Sequence, residues 1–268
     1  MTDYTLRVTI FLSCVIALIL WQTFYPKKKL QHWKLRWVEN ISLLAINTIT
    51  LRFFQPILLS LIALTATKYG LLNLVPFPLW VEIIIGIILL DLAIYWQHNI
   101  SHKITWIWRL HRVHHSDAEL DVTSAVRFHP IEILLSLIYK SMVVVIFGVP
   151  AFAILLFDII LNASAMFNHT NIKLPAGLES ILRKCIVTPE MHRIHHSRVT
   201  EETNSNYGFF LSIWDKLFNT YTPHASLGDE KIQIGMPQTK TYRPKSLLSL
   251  LLMPSFKRSD FQNKHDKE

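Results

Sequence analysis

The stretch from Leu79 to His115, LWVEIIIGIILLDLAIYWQHNISHKITWIWRLHRVHH, decides how the rest of the chain is read. From Leu79 to Gln97 its only charges are Glu82 near the start and Asp91 near the end. A helix rises about 1.5 Å per residue, so roughly 20 such residues cross the hydrocarbon core of a bilayer, and somewhat fewer suffice where it is thin. No breaker separates this run from His98. The histidines therefore begin where a membrane span ends.

Working outward, the stretch from Ile133 to Asn168 carries only Lys140 and Asp158 as charges, and Gly148-Val149-Pro150 lies at its centre as a turn signal between two apolar runs. This predicts a helical hairpin that leaves and returns on one side. The histidines before residue 130 and those after residue 168 then share one face of the membrane. Upstream, Val8 to Tyr25 is uncharged and has no small-residue cleavage site before Lys27, Lys28 and Lys29, which predicts an uncleaved first span. Ile41 to Thr67 is broken only by Arg52 and Pro56, and predicts one long kinked span or two half-spans, with Arg52 in a structural pairing.

Composition agrees with a membrane protein. The chain is 51% hydrophobic and only 17% charged, and its apolar residues come in long uncharged runs rather than in the scattered pattern of a soluble helical core. The formal net charge of +8 gathers at residues 27 to 36 and near the C-terminus, beside apolar spans, which suits an anionic lipid surface. No nucleic-acid motif is present, so nucleic acid is excluded as a partner. Cys14 and Cys185 form no CxxC pair and read as buried filler. The positive-inside rule puts the basic loop from Lys27 to Arg36 in the cytoplasm, against a connection after Thr67 that carries only Lys68. Counting spans from there puts the N-terminus outside and brings His98 out on the cytoplasmic side. The expected fold is all-α: a multi-span helical membrane protein with a cytoplasmic helical cap carrying the histidine clusters. Its expected divisions are N-terminal transmembrane spans over 1–78, a catalytic domain over 79–222, and a basic cytoplasmic tail over 223–268.

Five histidines fall between His98 and His115 and three more between His192 and His196, where the chain average of 13 in 268 would place fewer than one in either window. His98 and His102 form an H-x3-H pair. Positions i and i+4 of a helix stack on one face, so both rings can reach a common ion. His111, His114 and His115 repeat the spacing of His192, His195 and His196, both reading H-x2-H-H, and i, i+3 and i+4 are mutual neighbours on a helix. Eight imidazoles packed together without a metal would leave many buried donors and acceptors to satisfy. They are also too many for one ion, since a structural zinc takes four ligands and a catalytic zinc three. Two ions are implied, and imidazole suits iron, copper and zinc alike.

These residues resemble the fatty acid hydroxylase and sterol desaturase superfamily of membrane oxygenases. The matching text is His98-Asn99-Ile100-Ser101-His102, His111-Arg112-Val113-His114-His115, Asn168-His169-Thr170 and His192-Arg193-Ile194-His195-His196. It extends to Arg127-Phe128-His129-Pro130-Ile131-Glu132, Asn206-Tyr207-Gly208 and Trp214-Asp215-Lys216-Leu217-Phe218, and covers roughly residues 80 to 222. The resemblance implies two iron ions and O2 as co-substrate, acting on a C–H bond of a membrane lipid such as a fatty acyl chain, sterol or ether lipid. It further implies a separate electron donor, a reductase with a cytochrome or ferredoxin type carrier. The implied ligands are His98, His102, His111, His114, His115, His169, His192, His195 and His196. Some members have a further histidine where this chain has Lys173, which puts a tenth ligand in doubt. Asp91, His129, Glu132 and Asp215 are candidates for supporting the ligands: Asp91 through a histidine of another cluster, and His129 through a ligand or the substrate. The implied place is a cell inner membrane in a bacterium or the endoplasmic reticulum in a eukaryote, with the site on the cytoplasmic face. The competing reading is a non-catalytic membrane protein that binds or transports zinc or copper, which predicts ligands strung along a path through the bilayer.

Overall fold

The computed structural model describes residues 3–236 and 246–256, with the backbone alone over 3–4 and 56–69. Eleven α-helices account for most of the described residues: α1 (Asp3–Phe24), α2 (Trp33–Tyr69), α3 (Leu79–Lys103), α4 (Thr105–His115), α5 (Pro130–Phe147), α6 (Ala151–His169), α7 (Ala176–Leu182), α8 (Pro189–His195), α9 (Thr200–Thr203), α10 (Ile213–Leu217) and α11 (Leu247–Leu252). No strand occurs among the described residues, only three isolated β-bridges. The all-α class is as the apolar spacing dictates.

Among the described residues, four helices are long and apolar enough to cross a membrane: α1 from Thr5, α3, α5 and α6. The segment from Ile41 to Thr67 lies in a single helix, α2, whose 37 residues run through Pro56 without a break. At about 1.5 Å per residue it is roughly 55 Å long, more than a bilayer needs. Its first turns therefore belong with the histidine-bearing layer. Arg52 is exposed on α2 and has no ion pair among the described residues, contrary to the structural pairing its position suggests. Cys185 is exposed rather than buried.

The hairpin of α5 and α6 turns at Gly148, whose φ of 69° puts it in the left-handed region that favours glycine. Its N–H donates to Val144 O at 2.8 Å and ends α5. A Cβ at Gly70 would come within 2.2 Å of Gly148 Cα, so the end of α2 and the hairpin tip meet backbone to backbone. The hairpin's two charges face each other, Lys140 Nζ lying 3.7 Å from Asp158 Oδ1. Arg7 of α1 also binds Asp158, so the charges that α1 and the hairpin place among apolar helices meet one another.

Below the spans, α4 and the loop after it are held by a buried ionic hub. Arg36 of α2 donates from Nη1 to Asp121 Oδ2 at 2.7 Å and from Nη2 to Asp117 Oδ2 at 2.8 Å and Glu119 O at 2.7 Å. Arg127, 1% exposed, donates to Val113 O at 3.1 Å, Asn40 Oδ1 at 2.8 Å and Ser116 Oγ at 3.1 Å. It thereby ties Val113 O, one of the last carbonyls of α4 that helix geometry leaves without an intrahelical partner, to the C-cap Ser116 and to α2. Burial pushes the Asp117 carboxyl up, but the Arg36 guanidinium outweighs this and holds it well below the usual carboxylate range.

The expected tail boundary at 222 does not end the packing. Ala225, Ile232 and Ile234 are buried with Leu120 and Ile194, and Leu250 and Met253 with Leu43 and Val113. Asp229 accepts from Arg193 Nη1 at 2.7 Å and pairs with Lys27, so the segment after 222 is a clasp between the first loop and α8. Ile232, Ile234 and Met236 are buried and alternate with Gln233 and Gly235. Residues 257–268, expected to be a basic tail, lie outside the described residues.

Removing one partner of a buried ion pair strands the others, which costs about 3–5 kcal/mol. Arg36→Ala, which strands Asp117 and Asp121, should therefore lower the unfolding midpoint in detergent sharply. Lys140→Met, which leaves Asp158 its Arg7 partner, should lower it far less.

Candidate metal centre

Two groups of histidines meet at the ends of the spans. His98, His102, His111, His115 and His195 form one and His114, His169, His192 and His196 the other, with the ligand atoms of each group all within 4.8 Å of one another. The elements that carry them are distant in the chain: α3 brings His98 and His102, α4 the first triplet, the end of α6 His169, and α8 with its C-cap the second triplet.

The helical spacing expected to gather each triplet about one side does something different. His111 and His115, at i and i+4, go to the five-histidine group, while His114, at i+3, goes to the other. In the second triplet the pair His192 and His196 joins the four-histidine group and His195 crosses over. Each triplet thus straddles both groups, and the two are related by exchange. An offset of three residues turns a ring by about 300° around the helix and four residues by about 400°, so i+3 falls on one side of i and i+4 on the other, about 100° apart, and one short helix serves two adjacent points.

Within each group the ring nitrogens approach edge to edge. Nε2 of His98 and His111 are 3.1 Å apart, those of His114 and His169 3.1 Å, and those of His192 and His169 3.1 Å. The opposite nitrogens explain which tautomers are present. Nδ1 of His98 donates to Tyr207 O at 2.8 Å, of His195 to Ser205 O at 2.7 Å, and of His169 to Ala165 O at 2.6 Å. His98 carries its proton on Nδ1, and so does His111, whose Nδ1 faces Glu132 Oε1, so the Nε2 atoms of these two rings meet lone pair to lone pair. That arrangement repels unless a cation lies between. Two nitrogens bound at right angles to one ion, each at about 2.1 Å, stand roughly 3 Å apart, which matches the observed separations. Both nitrogens of His115 and Nε2 of His195 are buried without any protein partner. The residues fit a pair of metal ions.

Electrostatics favour the neutral, ligating form. Burial, with the neighbouring rings adding to it, lowers His114, His115, His192 and His196 well below the ordinary histidine value. His195 is lowered to about 3, burial outweighing its bond to the Ser205 carbonyl. A neutral imidazole has a lone pair to give and a protonated one does not.

Of the four candidate supporting residues, one touches a ligand: Glu132 Oε1 accepts from His111 Nδ1 at 2.6 Å. Asp91 supports no histidine. Its Oδ2 accepts from Trp214 Nε1 at 2.8 Å and Leu211 N at 3.2 Å, because α3 carries it two turns above His98, level with the loop before α10. Asp215 accepts from Tyr207 N at 2.7 Å and Gly208 N at 2.8 Å and so shapes the loop whose Tyr207 carbonyl receives His98. His129 belongs to neither group. It caps α5 by accepting from Ile131 N and donates to Leu251 O at 3.1 Å. Lys173 points away, paired with Glu230 at 2.5 Å, and adds nothing to the four-histidine group. The carbonyls of Ala165, Ser205 and Tyr207 escaped the sequence reading because a main-chain acceptor has no residue signature. The Arg36 hub did have one, in the acidic run Asp117, Glu119 and Asp121 directly after the first triplet.

With this geometry established, comparison with known proteins is informative. Ornithine lipid hydroxylase of Rhizobium tropici is 30% identical over 144 residues, 54% of this chain and 43% of that protein. Alkylglycerol monooxygenase of Homo sapiens is 28% identical over 213 residues, 77% of this chain and 44% of that protein. A cholesterol 25-hydroxylase-like protein of Caenorhabditis briggsae is 24% identical over 182 residues, 67% of this chain and 55% of that protein. The chain thus spans less than half the length of the first two. No solved structure matches it. The family model described as fatty acid hydroxylase matches residues 83–220, from within α3 to just past α10, and so takes in every histidine of both groups. The chain belongs to the fatty acid hydroxylase family.

Proposed function

We propose that this chain is a di-iron, O2-dependent oxidoreductase that hydroxylates or desaturates a C–H bond of a membrane lipid. The observation that carries the reading is the division of nine converging imidazoles into two adjoining groups by the same pair of triplets. Iron ions bound there would supply the oxidation of an unactivated C–H bond by O2, with electrons from a separate reductase and its cytochrome or ferredoxin type carrier. The chain's own residues bind, orient and exclude water. Carbonyls of residues 165, 205 and 207 fix three rings by their Nδ1 protons, and the buried shell around them keeps bulk water from the site.

Placement supports a lipid substrate. Both groups lie where α3 and α6 end, so a chain from the adjoining leaflet has a short path to them. The names of the relatives, a lipid hydroxylase and an alkylglycerol monooxygenase, point to the same class. The basic first loop supports a cytoplasmic site, with electron donor docking from that side, in an inner membrane or the endoplasmic reticulum. A four-imidazole group alone would suit a closed zinc site. Its junction with a five-imidazole group, at the ends of spans rather than along a path through them, favours the oxygenase over a zinc or copper transporter.

Purified protein should contain two iron ions per chain, and with 18O2, a reductase system and a panel of glycerolipids and sterols should place label in a lipid product. Absence of label across the panel from iron-loaded protein would count against the proposal. His115→Ala should lose metal and lower turnover by about a hundredfold or more, whereas His129→Ala should keep both ions. Ligation needs neutral rings, and burial holds His195 neutral down to about 3, so metal should be retained as pH falls through the ordinary histidine value of 6.5 and be released only as pH approaches about 3, read by metal analysis after dialysis.

A further inference from the structure

Nine neutral imidazoles around two dications leave the positive charge of the centre uncompensated, which is costly in a buried site. The carboxylates near it are otherwise committed. Asp117 is bound by Arg36, Asp91 by Trp214 and Leu211, and Asp215 by Tyr207, Gly208 and Thr220. Glu132 is different. It is 5% exposed, its Oε1 lies 2.6 Å from His111 Nδ1, and its Oε2 is buried without a partner. The cations on neighbouring elements are engaged elsewhere: Arg112 with Phe256 O, Arg109 with the same carbonyl, and Arg127 with Glu39 and Val113 O. No cation neutralises Glu132 among the described residues.

The other ligand Nδ1 atoms with a protein partner use main-chain carbonyls, which carry no net charge. We propose that Glu132 is a positioning residue that delivers the centre's negative charge through His111, and does so to the five-histidine group alone. Its helix explains the placement. Glu132 is the third residue of α5, after the His129 cap and Pro130, where the N-terminal end of the helix favours a carboxylate. A carboxylate on Nδ1 makes the ring a stronger donor at Nε2. The ion in the five-histidine group is therefore the harder of the two to reduce, and the two ions accept electrons in a fixed order.

This inference rests on the metal-centre reading, and its test separates the two. Glu132→Gln keeps the shape and an oxygen that accepts from Nδ1 but removes the charge; Glu132→Asp keeps the charge. Both are purified as the full chain in lipid nanodiscs with iron, and metal content and reduction potentials are measured beside the unaltered protein. The expected result is two ions in each, a positive shift of one potential in Glu132→Gln with the other nearly unmoved, and a smaller shift in Glu132→Asp. Potentials in Glu132→Gln that match the unaltered protein would overturn the inference, as would equal shifts in both variants, since packing rather than charge would then be responsible. Loss of one ion from Glu132→Gln but not from Glu132→Asp would support it through the donor strength of His111. An unaltered protein that binds no metal would overturn the metal-centre reading itself.

Discussion

The structure depends on one constraint: buried imidazole nitrogens whose lone pairs face one another at about 3 Å must be held in place against their own repulsion. Every element around the centre can be understood as a response. Carbonyls at 165, 205 and 207 pin three rings from behind, Glu132 pins a fourth, and the Arg36 and Arg127 hub fixes the end of the helix that carries the first triplet. The clasp through Asp229 holds α8 and with it the second triplet. The surrounding scaffold holds these rings close together.

The membrane spans set the other boundary condition. A helix long enough to cross a bilayer has fixed direction and length, so the ends of α3 and α6 deliver His98, His102 and His169 to one level with little freedom. The short helices α4 and α8 then need only to lie at that level, each presenting one turn and a little more. Their brevity suits the task, since seven to eleven residues suffice for an i, i+3, i+4 triplet and leave both ends open to be capped by the hub and the clasp.

Much of this was legible in the sequence. Uncharged runs marked the spans, Gly148-Val149-Pro150 marked the hairpin tip, and the histidine spacing marked eight of the nine residues that the structure gathers into the two groups, His169 coming only from the family resemblance. The limits were physical. Periodicity says that three rings share a helix face but not that they serve two points, because the choice depends on where the other helices bring their own ligands. Helical register placed Asp91 on the stripe of His98, yet its partner is set by the loop from 205 to 212, which has no period to read. The Arg52 reading failed for a related reason: a lone charge in an apolar run demands a partner or an exposed position, and only packing decides which. The segment after 222 has few apolar residues and so reads as a tail. Its docking comes from three or four well-placed side chains and an ion pair with Lys27, contacts across some 200 residues of chain that no local pattern encodes.

Iron K-edge absorption on the metal-loaded protein tests the central claim most directly, because it reads donor atoms and neighbouring metals without reference to activity. The account predicts two irons per chain, a first shell dominated by imidazole nitrogen at about 2.1 Å with the outer-ring scattering of histidine, and a resolvable metal neighbour. A single mononuclear iron, or a first shell dominated by oxygen or sulfur, would contradict it.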